Sequence, residues 1–387
     1  MKILMFAPIF PPVIGGPATQ CASLCKALVL RGHEPIVLTP GKRFSKAINE
    51  GYVVYRYPWE YTSTALDRLI RWCVFPCYFL YVFIRVRPHI LHAHSVSSAS
   101  FVAGLFSKIA GIPSIIKFAG DWVWETLSTT KIQGEDFEQV YRSSFAARTL
   151  RAVERVGVGI FSVVWVPSDF RRLNVKALMG TDEKVVQIPN SLLLPPTKFH
   201  EWMASQPATV ISANRFIPHK RIDMIVRAFA VSAPLNAKLV LIGSGEEDEI
   251  QKVREEIKRL GISDRVELAG RLSSKEVYDR FASATLYVSA SLEEGFPNVF
   301  IEAMHFGLPI IATDAGGSRE MIDEGKTGYV VGLMDEAALV ERMRAILGDP
   351  NLRNRMSRAS QERAQRYDLS VIIEDFIALY TKLAKKS

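Results

Sequence analysis

The chain of 387 residues is 48% hydrophobic and 23% charged, with a formal net charge of +8. These proportions exclude a disordered polymer, and the length suits two ordinary domains rather than one. Residues 1–200 carry 23 Lys+Arg against 13 Asp+Glu, a net of +10, while residues 201–387 carry 25 against 27, a net of −2. Only the first half therefore suits an anionic partner such as a membrane or a phosphate-bearing acceptor. Nucleic acid is not expected, because no basic run is interleaved with aromatics and no named binding motif occurs.

Met1 to Phe10 lacks a small-residue cleavage site and reads as a strand over 2–8 rather than a signal peptide. A loop with Gly15-Gly16 follows, then a helix from about Pro17 to Arg31, a stop at Gly32 and a strand at Ile36–Thr39. The uncharged apolar stretch Trp72–Ile84 contains Pro76 and is shorter than the roughly 20 residues that a bilayer span requires. Cys21/Cys25 and Cys73/Cys77 are i, i+4 pairs, which suits buried core cysteines better than zinc ligands. Strands follow at 88–92, 115–118, 163–166 and 185–188, with a helix at 97–110. His92 and His94 alternate on one of these strands without an evident third metal ligand, so they read as core or cleft histidines.

The three prolines within Leu192–Pro207 mark a linker. The α/β alternation then restarts, with strands at 209–213, 238–242, 266–268, 286–288 and 310–313, and an amphipathic helix over 369–384. Successive α/β units imply parallel sheets, with ligands at the carboxyl ends of the strands. The expected boundaries are 1–195, a linker at 196–207, 208–367, and a terminal helical segment at 368–387 that returns toward the first domain.

Two segments carry the chemistry. In Glu294-Gly-Phe-Pro-Asn-Val-Phe-Ile-Glu302 the first carboxylate sits on a loop and the second about one turn into a helix starting near Asn298. The amides at that helix start suit a diphosphate, and the two carboxylates suit sugar and ribose hydroxyls. Arg215-Phe-Ile-Pro-His-Lys220 places two cations after the first strand of the second half, where a diphosphate would lie. Gly243-Ser-Gly245 ends the next strand and allows a close backbone approach to phosphate, without completing a dinucleotide fingerprint.

These segments, with FPPVIGGPATQCASLCKALVLRGHEPIVLT and the continuation SLEEGFPNVFIEAMHFGLPIIATDAGGSREMI, resemble the motifs of family 4 glycosyltransferases over nearly the whole chain. The resemblance implies the GT-B fold, two doubly wound Rossmann-like domains facing across a cleft. It also implies retaining transfer from a nucleotide-diphosphate sugar, a UDP- or GDP-sugar, to a lipid-linked or glycan acceptor. Arg215 and Lys220 would stabilise the leaving diphosphate, Glu294 would face the donor sugar, and Glu302 would hold the ribose. The backbone of Phe296, Pro297, Asn298 and Val299 would line the phosphate and sugar, and Gly16 would lie close to the donor phosphate. The chain departs from the family at Ala119, where a histidine is common, and resembles a subgroup with Gly-Asp-x-x-Trp-Glu at Gly120–Glu125. Asp121 there suits either a sugar or acceptor contact or an N-cap.

No Asp-x-Asp metal motif is present, so neither metal nor cofactor is expected. The expected location is cytoplasmic, peripheral at the inner face of the cell membrane. The aromatic stretch 69–87, edged by Arg71, Arg85 and Arg87, and the arginine stripe Arg148, Arg151 and Arg155 suit such an interface. Two other readings fit parts of the pattern: a non-hydrolysing nucleotide-sugar epimerase, or a non-catalytic nucleotide-sugar-binding partner of another transferase.

Overall fold

The computed structural model describes residues 1–13, 15–58, 65–120, 122–128, 144–197 and 207–385. The chain forms two compact units, Met1–Leu193 with Leu369–Ser387, and Leu194–Asp368. Most of the expected linker, residues 198–206, lies outside the described residues.

The first unit runs β1 (Lys2–Phe6), α1 (Gly16–Leu30), β2 (Glu34–Gly41), β3 (Ser45–Asn49), β4 (Tyr52–Pro58), α2 (Ala65–Val86), β5 (Ile90–Ala93), α3 (Ser98–Ile109), β6 (Ser114–Lys117), α4 (Trp122–Ser128), α5 (Phe145–Gly159), β7 (Val163–Val166), α6 (Asp169–Met179) and β8 (Val185–Gln187). Its sheet order is β3-β4-β2-β1-β5-β6-β7-β8, parallel except for the β3–β4 pair at the edge. Strands such as Val-Val-Trp-Val at 163–166 are buried along their whole length, as central parallel strands covered on both faces must be. Ser97, Ser144 and Ser168 accept the third amide of the helix that each precedes, which fixes where α3, α5 and α6 begin.

The second unit runs β9 (Thr209–Ala213), a 3-10 turn at Pro218–Lys220, α7 (Ile222–Ser232), β10 (Lys238–Ile242), α8 (Glu247–Arg259), β11 (Val266–Gly270), α9 (Ser274–Ser283), β12 (Leu286–Ser289), α10 (Asn298–His305), β13 (Ile310–Thr313), α11 (Ser318–Met321), β14 (Gly328–Val331), α12 (Glu336–Gly348) and α13 (Pro350–Ala364). Its six parallel strands are ordered β11-β10-β9-β12-β13-β14. Counted within the unit this is 3-2-1-4-5-6, the doubly wound order, with its switch point between β9 and β12. The last helix, α14 (Leu369–Ala384), belongs to the first unit, where it packs beside α1. Arg31 pairs with Glu374 at 2.8 Å, and Tyr380 and Phe376 enter the core.

Three elements went unread in the sequence. These are strands β3 and β14, which lie at sheet edges, and β4, which lies between β3 and β2. The apolar window at 72–84 is the inner part of a longer helix, α2, which keeps Pro76 inside it. Cys21 and Cys25 are buried as expected, but Cys77 is exposed, because it lies on the side of α2 turned away from the core.

Candidate functional site

The carboxyl ends of β9 and β12 flank the switch point of the second sheet, and each is followed by one of the charged loops. After β9 the chain passes through Asn214 and exposed Arg215 to Phe216, whose amide bonds Ser244 O at 2.9 Å in an isolated bridge to Gly245. Gly243 has φ 144°, and a Cβ there would lie 1.8 Å from Asn214 O; one on Gly245 would lie 2.1 Å from Phe216 O. The two glycines are thus required by the close approach of this loop to their own strand end. The 3-10 turn Pro218–Lys220 closes on Arg221, which adopts φ 46° at the start of α7. That turn aims Lys220 back across the strand ends.

Lys220 Nζ meets Glu294 Oε1 at 2.5 Å, with both side chains about 13% exposed. Ser291 Oγ donates to the same carboxylate oxygen at 2.8 Å. Leu292 N donates to His219 O at 2.8 Å, tying the loop after β12 to the 3-10 turn. Burial, then the neighbouring Lys220 and Arg215 charges, push His219 down to about 4, against a smaller opposing pull from Glu294. The imidazole is therefore neutral near pH 7, and Arg215, Lys220 and Glu294 all lie within its electrostatic reach. Glu294 O accepts Gly317 N at 2.9 Å, and a Cβ on Gly317 would stand 2.0 Å from Gly295 O. Gly317 allows the loop after β13 to press against the Glu294 loop.

Helix α10 starts at Pro297 without a side-chain cap and has no acidic residue in its first turn. Its N-terminal amides therefore face the loop that carries Glu294 with the positive end of the helix dipole. Phe296 is buried against Tyr367, ring centroids 5.5 Å apart, and anchors that loop. Asn298 and Val299 begin the helix and are half-buried. Glu302 lies one turn further on. Burial raises its carboxyl to about 7, offset in part by the Tyr278 hydroxyl, which donates to Oε1 at 3.4 Å. A carboxyl held at such a value sits where a group that donates hydrogen bonds to it would bind.

The second unit therefore brings together Arg215, Lys220, Glu294, Glu302 and the Phe296–Val299 segment, with Gly243 supporting the first loop. Of the candidates in the first unit, Gly16 is exposed and opens α1 after Gly15, while Asp121 lies outside the described residues. His219, Ser291, Tyr278 and Gly317 were not singled out from the sequence. His219, Ser291 and Gly317 sit inside segments that were, whereas Tyr278 lies outside them and reaches Glu302 only in the fold.

The first unit holds a second polar cluster. Lys117, at the end of β6, is 2% exposed and donates to Gln20 of α1 and to Asn190 Oδ1 at 2.8 Å, with its ammonium 4.4 Å from the Trp165 ring centroid. Burial lowers it to about 7. His92 and His94 stack at 4.3 Å, and His92 Nδ1 lies 2.8 Å from the Tyr380 hydroxyl. Burial pushes His92 down to about 3, as suits a neutral core histidine. Among the described residues no group of three or more His, Cys, Asp or Glu is gathered as a metal site.

Against known proteins, residues 197–363 match the family described as Glycosyl transferases group 1, and residues 15–191 match the Glycosyl transferase 4-like domain. The chain is 31% identical over 391 residues to the N-acetyl-alpha-D-glucosaminyl L-malate synthase of Bacillus anthracis, covering 95% of this chain and 94% of that protein. It is 23% identical to the phosphatidyl-myo-inositol mannosyltransferase of Mycobacterium leprae, covering 99% and 97%. Among solved structures, sucrose-phosphate synthase from Thermosynechococcus elongatus superposes with a TM-score of 0.83 at 19% identity over 100% of both chains. Anabaena HepE in complex with UDP-glucose superposes with a TM-score of 0.75 at 18% identity over 99% of this chain and 100% of that one. The fold is that of the GT-B glycosyltransferases, two Rossmann-like units.

Proposed function

The chain belongs to the group 1 glycosyl transferases with a glycosyl transferase 4-like first half, and from that premise we propose that it moves a sugar from a UDP- or GDP-sugar to a lipid-linked or glycan acceptor with retention of anomeric configuration. The observation that carries this reading is the pairing of Lys220 with Glu294 at the β9/β12 switch point, beside the uncapped start of α10. An HepE structure holds UDP-glucose on the same fold, and one relative is named for a phosphatidylinositol acceptor, which supports this donor and acceptor class.

In this reading the donor diphosphate lies over the start of α10, and the Lys220 ammonium turns from Glu294 to the β-phosphate. Arg215 meets the same group from the exposed side. Glu302 accepts the ribose hydroxyls and Glu294 the hydroxyls of the donor sugar. As the anomeric C–O bond to the diphosphate breaks, negative charge grows on the leaving oxygen. Arg215, Lys220 and the helix amides are fixed in place before it does so. The acceptor oxygen then bonds the anomeric carbon on the face just vacated, and its proton passes to the departing phosphate. The chain's own cations meet the leaving charge, so the proposed mechanism uses no metal. Gly16 is proposed as a donor contact and Asp121 as a sugar or acceptor contact. The enzyme would act from the cytoplasmic side, peripheral to the membrane.

Radiolabelled UDP- and GDP-sugars incubated with a lipid-diphosphate acceptor pool test the reading. Label in the lipid product supports it. An epimerised sugar nucleotide, or nucleotide-sugar binding without turnover, would replace it with the epimerase or the binding-partner reading.

A further inference from the structure

From Phe75 to Ile84 α2 carries no charged residue and is apolar on both sides. Phe75, Phe79, Val82, Phe83 and Val86 are buried, while Cys77, Leu80, Tyr81 and Ile84 lie on the opposite side at i, i+3, i+4, i+7 spacing. Leu80, Tyr81 and Ile84 are 39%, 49% and 60% exposed. A helix that has buried one apolar face and still shows another is unusual in water. The exposed stripe spans roughly 10 Å along the axis. Beside it, Phe44 from the turn before edge strand β3 stacks on Tyr78 at 5.1 Å and meets Tyr81 edge-on at 5.7 Å. Together with Cys77 they line an apolar recess of about 260 Å³.

Cations edge this surface. Lys42, Arg43 and Lys46 on the β3 side, and Arg85 and Arg87 at the end of α2, are all exposed. Between Arg68 and Gly120 the sequence carries six Lys/Arg and no acidic residue, and none occurs between Lys42 and Asn49. An apolar stripe with two aromatic rings and a rim of exposed cations matches the boundary of an anionic bilayer, where aromatic rings sit at headgroup depth and Lys and Arg reach the phosphates. A second copy of the chain fits less well. A two-fold interface through this patch would set its cations against their own counterparts. Among the described residues no helix is long and apolar enough to cross a membrane.

We propose that the face formed by β3 and the outer side of α2 docks the first unit on an anionic lipid surface, with Phe44, Leu80, Tyr81 and Ile84 inserted and Lys46 and Arg85 on the headgroups. This deepens the proposed transfer by naming the surface that brings the enzyme to a lipid-borne acceptor, and it rests on that reading for its purpose. It places docking here rather than on the arginine stripe of α5, where Arg155 Nε is already engaged by Leu178 O at 2.6 Å and Arg151 is half-buried.

The test is flotation of the full chain with phosphatidylglycerol or phosphatidylcholine vesicles at low and high salt. UDP and GDP titrations and thermal melts accompany every variant. The wild type is expected to float with phosphatidylglycerol at low salt, to be released by high salt, and to stay free of phosphatidylcholine. The triple change Leu80→Ser, Tyr81→Ser, Ile84→Ser and the double change Lys46→Glu, Arg85→Glu should each lower partitioning by about tenfold or more. The double change Arg148→Glu, Arg155→Glu should leave it within about twofold. Nucleotide affinity should be unchanged in all of them. Failure of the wild type to float at low salt, wild-type flotation by both α2/β3 variants, or loss of flotation in the α5 variant overturns the docking face. Self-association abolished by the triple change, with no vesicle binding, overturns it in favour of a dimer. Vesicle binding without affinity for any nucleotide leaves the docking face standing and removes the transferase reading instead.

Discussion

Protonation of Glu302 should control donor affinity. Its carboxyl sits at about 7 rather than the usual 4.5 because burial penalises its charge more than the Tyr278 hydroxyl offsets. Ribose hydroxyls donate hydrogen bonds, and an ionised carboxylate accepts them better than a protonated one. Binding should therefore draw the carboxyl back toward 4.5. By linkage, affinity is full where Glu302 is already ionised and falls as pH drops through its free value. A return from about 7 to 4.5 predicts affinity about tenfold weaker at pH 6 than at pH 8, with close to one proton released per ligand at pH 6. His219, at about 4, is already neutral across this window. Calorimetry in two buffers of different ionisation enthalpy reads both quantities. The ligand should be an intact nucleotide sugar, because the terminal phosphate of a free nucleoside diphosphate itself titrates near about 6. Glu302→Gln should bind more weakly at pH 8 and lose the pH dependence. Equal affinity at pH 6 and pH 8, or the same slope in Glu302→Gln, would refute the ribose contact.

Arg215→Ala and Lys220→Ala should each lower kcat by about a hundredfold or more, since each removes charge from the leaving diphosphate. EDTA should have no comparable effect, and inhibition restored by manganese or magnesium would overturn the metal-independent mechanism. Glu302→Ala should act on nucleotide binding and Glu294→Ala on turnover, read as the split between affinity and kcat, because the ribose is held alike in both states while sugar contacts tighten as charge develops. Lys117, lowered to about 7 in the fold, leaves the unfolded chain holding more protons between about 7 and 10.5. Its contribution should therefore make stability rise with pH in that window by up to about 1.4 kcal/mol per pH unit. Urea melts from pH 7 to 10 should show a shallower rise in Lys117→Met, and an unaltered slope would mean that the buried amine does not titrate there.

Much of the fold was legible because parallel strands buried on both faces are written as unbroken apolar runs. Residues 163–166, 209–213, 238–242 and 310–313 were placed to the residue, and so was the closing helix at 369–384. The β3–β4 hairpin was not. Lys46, Ile48 and Asn49 are exposed on an edge strand, so neither unbroken burial nor clean alternation marks them. Nor could the sequence show that α2 has two apolar sides. A run such as Phe-Pro-Cys-Tyr-Phe-Leu-Tyr-Val-Phe-Ile reads as core whichever residues the sheet covers, and only the packing of Phe75, Phe79 and Phe83 against it leaves Leu80, Tyr81 and Ile84 outside.

The site divides along the same line. Arg215, Lys220, Glu294 and Glu302 could be named as candidates because each stands at a fixed offset from a strand end or a helix start, while the roles given to them came from the family resemblance. What closes the constellation was not singled out. Ser291 reaches Glu294 because the chain turns directly after β12, and Tyr278 reaches Glu302 across 24 positions because the Tyr278 and Phe281 rings of α9 meet Phe306 just past α10. Gly317 stands out only when a Cβ is set against Gly295 O. Lys117 is the sharpest case. In the sequence it is one more cation of a basic half, whereas in the fold Gln20, Asn190 and the Trp165 face surround it, three partners drawn from positions up to 97 residues away. A charge that is solvated and a charge that is enclosed are spelled with the same residue. The difference lies in which neighbours the strand order delivers, and the doubly wound topology, rather than any local motif, decides that a cation at the end of β6 is covered by α1.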